Sequence, residues 1–348
     1  MIASQFGDPC ALPRWARKAA PGSMPLNLSM MYSAVRICGD KVQSDGSTRR
    51  QVNGTGFVVM VPSLKIAGVR YGYIVTAHHV IAPLSNIEVE FANPHKQGEL
   101  YAPESVTDWR RPANEKLDLA FAPHRLPEGR TPIGLDLGGT VTYGLDISLG
   151  ATMYYIGLFA PLNIPMARSG TIGAINVPTI RHSDPYDYPA HLVDVRSYGG
   201  FSGSPCFIEY PLANLTPLDL SQLPVRLPWA NPEEEAESKG RYGGLGFLHL
   251  FAGMFTEHYD PQNPARAASV LGIGVVLPAD PIIEALMTDD LRKERFDADD
   301  AFLRENPTLT ADAASVEGDA TEFGRFEDLT DKLLRVPKKE LDDKLKES

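Results

Sequence analysis

The chain has 348 residues, 43% of them hydrophobic, and carries a formal net charge of −11 at pH 7. This acidic balance argues against nucleic acid as the main partner, because phosphate binding needs clustered Lys and Arg. The three cysteines lie far apart and form no CxxC pair. Their number and spacing disfavour a disulfide framework or a zinc site and favour a reducing compartment.

The first residues, Met1–Ala20, contain two prolines and lack the apolar core of a secretory signal. No apolar run approaches the roughly 18 residues that a membrane-spanning helix needs. Four histidines, His95, His124, His182 and His191, lack carboxylate or cysteine neighbours at the spacing of metal ligands. We therefore expect a soluble, cytoplasmic protein that does not act at a membrane and needs no metal or other cofactor.

Short runs of the β type begin after Met30 and are separated by Gly, Pro and Asn, a pattern typical of a β barrel or sandwich. No long amphipathic helical pattern interrupts them before Pro281, which disfavours an α/β fold. The sequence therefore predicts an all-β fold. The runs are Ser33–Cys38, Gly56–Val61, Tyr73–Thr76, Ile87–Phe91, Leu119–Phe121, Ala151–Ile156, Gly170–Val177, His191–Val195, Cys206–Tyr210, Leu245–Phe255 and Ser269–Leu277.

Composition changes divide the chain into four parts, with a short helix predicted at Ile282–Met287. The last part has two interpretations: an amphipathic helix that docks a regulatory partner or a substrate, or a segment that packs on the barrel or stays disordered. The parts are a flexible arm at 1–29, the main domain at 30–288 with an exposed insertion at 211–244, a charged linker at 289–325 and an amphipathic C-terminal segment at 326–348.

A serine hydroxyl becomes a nucleophile when an imidazole accepts its proton, a carboxylate orients that imidazole and amides bind the oxyanion. The apolar run that ends in Thr76-Ala77-His78-His79-Val80 places two histidines directly after a strand. We take His79 as the base, because in a Thr-Ala-Ala-His pattern His78 stands where the second alanine would be. Asp118 leads directly into the apolar run Leu119–Phe121, whereas the alternative acids Asp108 and Glu115 do not lead into a run.

The nucleophile is predicted at Ser202, within Gly200-Phe201-Ser202-Gly203-Ser204-Pro205. Flanking glycines allow a tight turn that exposes the hydroxyl, and the amides of Gly200 and Ser202 would form the oxyanion hole. The α/β-hydrolase motif G-x-S-x-G does not fit. Residue 204 is Ser, Pro205 blocks an ordinary helix, and His79 precedes the serine.

Together these segments resemble the signatures of trypsin-like serine peptidases, especially their disulfide-free bacterial and viral branches. The resemblance covers roughly residues 30–288 and implies two six-stranded Greek-key β-barrels, at about 30–140 and 141–288. It implies a serine endopeptidase that cleaves protein or peptide substrates through His79, Asp118 and Ser202, with restricted specificity.

Two departures from the family pattern concern activation and specificity. Secreted members carry an aspartate before the nucleophile, which pairs with a newly cleaved amino terminus. Phe201 cannot form that pair, so we expect activity without cleavage near Met30. The resemblance also places Arg196 and Ser197 at the base of the substrate pocket, with Gly253 and Thr256 as lining residues. Arg196 would select an acidic side chain before the scissile bond, pair with Asp194, or leave the pocket through differences in the loops.

Two other functions remain open at this point. A protease fold without activity could serve as a binding module, and a live serine could instead make an esterase or a self-processing protein. The presence of all three triad residue types favours the peptidase.

Overall fold

A computed structural model describes residues 26, 28–66, 69–125, 134–137, 147–159, 162–178, 186–195, 200–211, 247–259 and 272–306. Strands dominate it, as the sequence pattern predicts, and every predicted run overlaps one of them. The strands are β1 (Ala34–Val42), β2 (Thr48–Pro62), β3 (Arg70–Thr76), β4 (Leu84–Phe91), β5 (Glu104–Ser105), β6 (Ala120–His124), β7 (Leu135–Asp136), β8 (Thr152–Phe159), β9 (Ile164–Val177), β10 (Ala190–Val195), β11 (Ser204–Pro211), β12 (Phe247–Tyr259) and β13 (Ile273–Pro278). The helices are α1 (Leu28–Ser33), α2 (His78–Ile81), α3 (Ala279–Leu286) and α4 (Asp289–Glu305).

The N-terminal half forms a seven-stranded sheet with the order β5-β4-β1-β2-β3-β6, and β7 pairs in parallel with β2. Its two edges, β5 and β6, approach each other, because Arg110 in the segment after β5 forms an antiparallel bridge with Phe121 of β6. The N-terminal barrel is therefore partly closed in the described residues, and it is less regular than the six-stranded barrel that the resemblance implies.

The C-terminal half is a closed barrel with the order β10-β13-β12-β11-β8-β9, in which every neighbouring pair is antiparallel. Aromatic packing fills it: the Tyr155 ring stacks on Phe255, with centroids 5.2 Å apart. The all-β, two-barrel fold expected from the sequence is confirmed.

The two barrels share an apolar interface. Phe57 on β2 meets Phe251 on β12, with ring centroids 5.6 Å apart, and Phe207 on β11 packs against the same ring at 6.1 Å. All three residues are almost completely buried. Burial of this apolar area stabilises the contact between the barrels and so fixes how residues of one face residues of the other.

The C-terminal helices differ from the prediction of a charged linker at 289–325. α3 buries Ile282 and Ile283 beside β12 and β13, and α4 continues as a regular helix to Glu305. Helix α4 lies on the N-terminal barrel, where the Arg295 guanidinium donates to the Tyr73 hydroxyl at 3.0 Å. The first part of the predicted linker is thus a packed element.

Several predicted segments lie outside the described residues: most of the arm at 1–29, nearly all of the insertion at 211–244, the remainder of the linker from residue 307 and the C-terminal segment at 326–348. In the described part of the chain no helix is both long and apolar enough to cross a membrane. Cys38 and Cys206 are buried free thiols.

Candidate active site

His79 and Asp118 come together at one end of the N-terminal barrel. Strand β3 ends at Thr76, and His79 lies in the short helix α2 that follows. Asp118 lies two residues before β6, the strand that pairs with β3. Asp118 is 2% exposed. One of its carboxylate oxygens accepts the backbone N–H of His79 at 2.9 Å, and the other lies 2.6 Å from the ring Nδ1.

This pair fixes the tautomer as well as the orientation of the imidazole. An ionised carboxylate only accepts hydrogen bonds, so Nδ1 carries the proton and Nε2 is left as the basic nitrogen. Burial lowers the pKa of His79, but the hydrogen bond and charge of Asp118, with a smaller contribution from Glu257, outweigh it and raise the pKa above its usual value. The His79 side chain keeps 33% of its surface exposed, as a base that meets a substrate must.

The predicted nucleophile lies in a tight loop immediately before β11. Gly200 and Gly203 have φ angles of 97° and 87°, which favour glycine. A Cβ on Gly203 would lie 1.9 Å from the carbonyl oxygen of Thr55, so no side chain fits there. The Gly203 N–H donates to the carbonyl oxygen of Phe255 at 2.7 Å, which ties the loop to β12.

Strand β2 connects the histidine helix to the serine loop. The Asn53 side-chain amide donates to the carbonyl oxygen of Val80 at 2.6 Å, and the Thr55 N–H donates to the carbonyl oxygen of Ser202 at 2.8 Å. Gly54 lies between them. A Cβ there would be 2.7 Å from a Val80 methyl carbon and 2.9 Å from the Ser202 carbonyl oxygen. Three consecutive residues of β2 thus contact both the helix that carries His79 and the loop that carries Ser202.

The family model of the trypsin-like peptidase domain matches residues 54–210, a span that contains His79, Asp118 and Ser202. The chain therefore contains a trypsin-like peptidase domain. No curated protein is significantly similar to it in sequence.

Three solved structures resemble the peptidase at low identity. The MamO protease domain from Magnetospirillum magneticum is 14% identical with a TM-score of 0.44, over 76% of this chain and 100% of that one. The active form of the Rv3671c protease from M. tuberculosis is 18% identical with a TM-score of 0.43, over 74% and 81%. The HtrA-type protease AlgW with a tripeptide is 14% identical with a TM-score of 0.43, over 74% and 59%.

The structure separates the two histidines that the sequence left side by side. His79 bonds Asp118, whereas the ring Nδ1 of His78 lies 2.8 Å from the Tyr186 hydroxyl. Burial, together with the charge of Arg111, lowers the pKa of His78. Burial also raises the pKa of Tyr186 to about 12, so this second pair is neutral near pH 7.

The structure describes two of the four predicted substrate-pocket residues. Arg196 and Ser197 lie outside the described residues. Thr256 is fully buried, and its hydroxyl bonds the Tyr188 hydroxyl at 2.9 Å and the carbonyl oxygen of Val275 at 3.2 Å. Gly253 faces β13, where a Cβ would lie 2.1 Å from the Leu277 carbonyl oxygen. Both belong to the wall of the C-terminal barrel, and their role in lining a substrate pocket stays a prediction.

Sequence reasoning missed several residues around the site. Asn53 and Thr55 flank Gly54 in strand β2, so polar side chains beside a strand glycine were the available signal. Tyr186 and Glu257 gave no such signal, because they reach the site only through folding. Within the described residues no group of His, Cys, Asp and Glu is arranged to hold a metal ion.

Proposed function

We propose that this peptidase hydrolyses peptide bonds through Ser202 as nucleophile, His79 as general base and acid, and Asp118 as the group that orients His79. The observation that carries the proposal is the pair of hydrogen bonds that the Asp118 carboxylate accepts from the backbone N–H and the ring Nδ1–H of His79. These bonds leave Nε2 as the proton acceptor of the imidazole.

In the proposed first step the Ser202 hydroxyl attacks the scissile carbonyl carbon, and its proton passes to Nε2 of His79. The carbonyl oxygen becomes an oxyanion, which the N–H groups of Gly200 and Ser202 would stabilise. The imidazolium then gives its proton to the leaving amine, and the C–N bond breaks to leave an acyl-enzyme. Water, deprotonated by His79, attacks the ester and releases Ser202.

The neighbouring serine provides a matched control for this assignment. Ser204 is two residues from Ser202 and fully buried, and within the described residues its hydroxyl has no hydrogen-bond partner. We expect Ser202→Ala to lower casein hydrolysis by about 10⁶-fold and to abolish fluorophosphonate labelling. Ser204→Ala should keep both. Residual hydrolysis by Ser202→Ala, or its loss only in Ser204→Ala, would reject the assignment.

The same assay distinguishes the other functions. Peptide binding by a wild-type chain that neither labels nor cleaves would identify a binding module. Labelling and ester hydrolysis without casein cleavage would identify an esterase, and cleavage confined to the chain itself would identify a self-processing protein.

Restricted specificity is part of the proposal, and Arg196 is its focus. A guanidinium at the base of the pocket would select an acidic side chain before the scissile bond. A panel of peptides varied only at that position tests this. Faster cleavage after Glu than after Phe, reversed in Arg196→Gln, would support the acidic preference, whereas equal cleavage would reject it.

We also propose that the peptidase works in a reducing, intracellular compartment. Burial raises the pKa of Cys206, and burial with the adjacent Glu90 raises the pKa of Cys38 to about 12. Both thiols are therefore protonated and shielded, as structural cysteines are. Fractionation of the cells that express the protein, with an antibody against the chain, would test the location.

A further inference from the structure

The residue before Ser202 is locked into the C-terminal barrel. The Phe201 side chain is 5% exposed, and its ring meets Tyr155 edge to face with centroids 5.4 Å apart. The Arg168 guanidinium lies 5.5 Å from the centroid of the same ring. Phe201 thus belongs to the barrel core while its neighbours on both sides belong to the catalytic loop.

Gly157 on β8 provides the space for this ring. A Cβ at Gly157 would lie 2.6 Å from Cδ1 and 2.7 Å from Cε1 of Phe201. These distances are shorter than any normal carbon–carbon contact, so even an alanine would have to displace the phenyl ring. Gly157 and Tyr155 therefore form a socket shaped for Phe201.

The opposite side of the loop is held by the N-terminal barrel. The Thr55 hydroxyl donates to the carbonyl oxygen of Gly200 at 2.7 Å, and its backbone N–H donates to the carbonyl oxygen of Ser202 at 2.8 Å. Thr55 is itself 2% exposed, and its carbonyl oxygen accepts the Thr76 hydroxyl at 2.7 Å. Gly200 and Ser202 are thus bonded to the N-terminal barrel, whereas Phe201 between them packs into the C-terminal barrel.

We propose that Phe201 and Thr55 are positioning residues that hold the Gly200 and Ser202 amides in the conformation that binds the oxyanion, without any newly cleaved amino terminus. A loop with two glycines at positive φ has many accessible conformations, and an oxyanion hole works only when its donors are fixed beforehand. The ring in its socket and the two bonds from Thr55 supply that restraint. The inference rests on the proposed role of Ser202.

Gly157→Ala tests the socket, and Gly173→Ala is its matched control. Gly173 lies on β9 of the same barrel, where the nearest atom to an added Cβ is the Leu192 carbonyl oxygen at 3.7 Å. We expect Gly157→Ala to lower kcat per titrated active site by about 10²-fold, the effect of losing one oxyanion donor. KM should stay nearly constant, and the affinity for a peptide boronic acid should fall by the same factor as kcat. Gly173→Ala should match the wild type.

Thr55 is tested by the pair Thr55→Val and Thr55→Ser. Valine keeps the shape but leaves the Gly200 carbonyl without the hydroxyl, so we expect a loss in kcat and boronic-acid affinity of about 10-fold or more. Serine restores the donor and should recover most of both. Normalisation to titrated sites separates misfolding, which lowers the number of sites, from mispositioning, which lowers turnover at each site.

Equal turnover per site in Gly157→Ala and Gly173→Ala, or in Thr55→Val and the wild type, would overturn the inference. A lack of recovery in Thr55→Ser would overturn the role of its hydroxyl. If instead the wild-type chain is not labelled at Ser202, the proposed function itself has failed. The two failures therefore give different results.

Discussion

The two barrels hold their proposed catalytic groups in different ways. In the N-terminal barrel, Asp118 and His79 are side chains fixed by hydrogen bonds between them, with Asp118 almost completely buried. In the C-terminal barrel, Ser202 lies on a loop whose shape depends on glycines at positive φ and on contacts with both barrels. The base and its carboxylate form a self-contained unit, whereas the serine depends on its surroundings.

The barrels also differ in how their edges are completed. The C-terminal barrel closes through its own strand pairs. The edges of the N-terminal sheet, β5 and β6, are joined through the bridge between Arg110 and Phe121, and helix α4 lies beside that bridge, where Glu294 pairs with Arg110 at 2.8 Å. Exposed strand edges are open to unwanted pairing. The helix after the second barrel therefore packs where the first barrel is least regular.

Within this comparison, the largest expected effect on kcat comes from a change in the pair of Asp118 and His79. In Asp118→Asn the side-chain NH₂ would face Nδ1 and favour the tautomer with its proton on Nε2, which cannot accept the serine proton. We expect kcat to fall by about 10⁴-fold with the fold intact. Measured turnover should be unchanged in Asp108→Asn, because that exposed carboxylate pairs with Arg110. A similar loss in both variants would contradict the assignment of Asp118.

A smaller effect is expected at Gly54, which lies between the helix of His79 and the loop of Ser202. The methyl group of Gly54→Ala would push against Val80 on one side and the Ser202 carbonyl on the other. Misplacement of reacting groups by about 1 Å costs about 10²-fold in rate, and we expect kcat to fall by that factor. Turnover per titrated site should be measured beside Gly173→Ala. Equal turnover per site in the two variants would show that β2 does not set the spacing between the helix of His79 and the loop of Ser202.

The next effect is on stability and concerns α4. The Tyr71 hydroxyl donates to buried Asp299 at 2.5 Å, and Ser63 donates to the same oxygen at 2.8 Å. Tyr71→Phe leaves that carboxylate short of a donor, so the free energy of unfolding should fall by about 1–3 kcal/mol in urea titrations. Tyr32→Phe is the control, because no hydrogen bond of the Tyr32 hydroxyl occurs within the described residues. An equal loss in both would leave α4 without a specific anchor.

The strands and the order of the chemical motifs could be predicted from the sequence, because β runs and glycine-rich turns are local patterns. Helix α4 could not. Its buried face consists of Leu291, Arg295 and Asp299, spaced four residues apart, so two of the three buried positions are charged. Hydrophobic periodicity therefore does not detect the helix, and its partners on β3 are far away in the chain.

The same limit applies to the details of the site. The identity of Phe201 alone indicates that the activation ion pair is missing. The socket that Gly157 forms for the Phe201 ring could not be predicted, because it depends on a contact between residues far apart in the chain. The register of the pairing between β12 and β13 shifts between Phe255 and Glu257. A bulge of this kind disturbs the alternation of side chains, so the inward direction of Thr256 could not be counted from the strand pattern.

The smallest expected effect concerns Glu257, a charge from the C-terminal barrel that acts on the base of the N-terminal barrel. Its carboxylate contributes to the raised pKa of His79, so Glu257→Gln should lower that pKa. Because His79 must be neutral to accept the serine proton, the acidic limb of the kcat/KM profile should move to lower pH, with its plateau unchanged. Added salt should reduce the difference from the wild type. Glu209→Gln, which removes a carboxylate that bonds Tyr154 instead, should leave the limb in place. A limb that stays put or moves to higher pH in Glu257→Gln would show that the base is tuned within its own barrel alone.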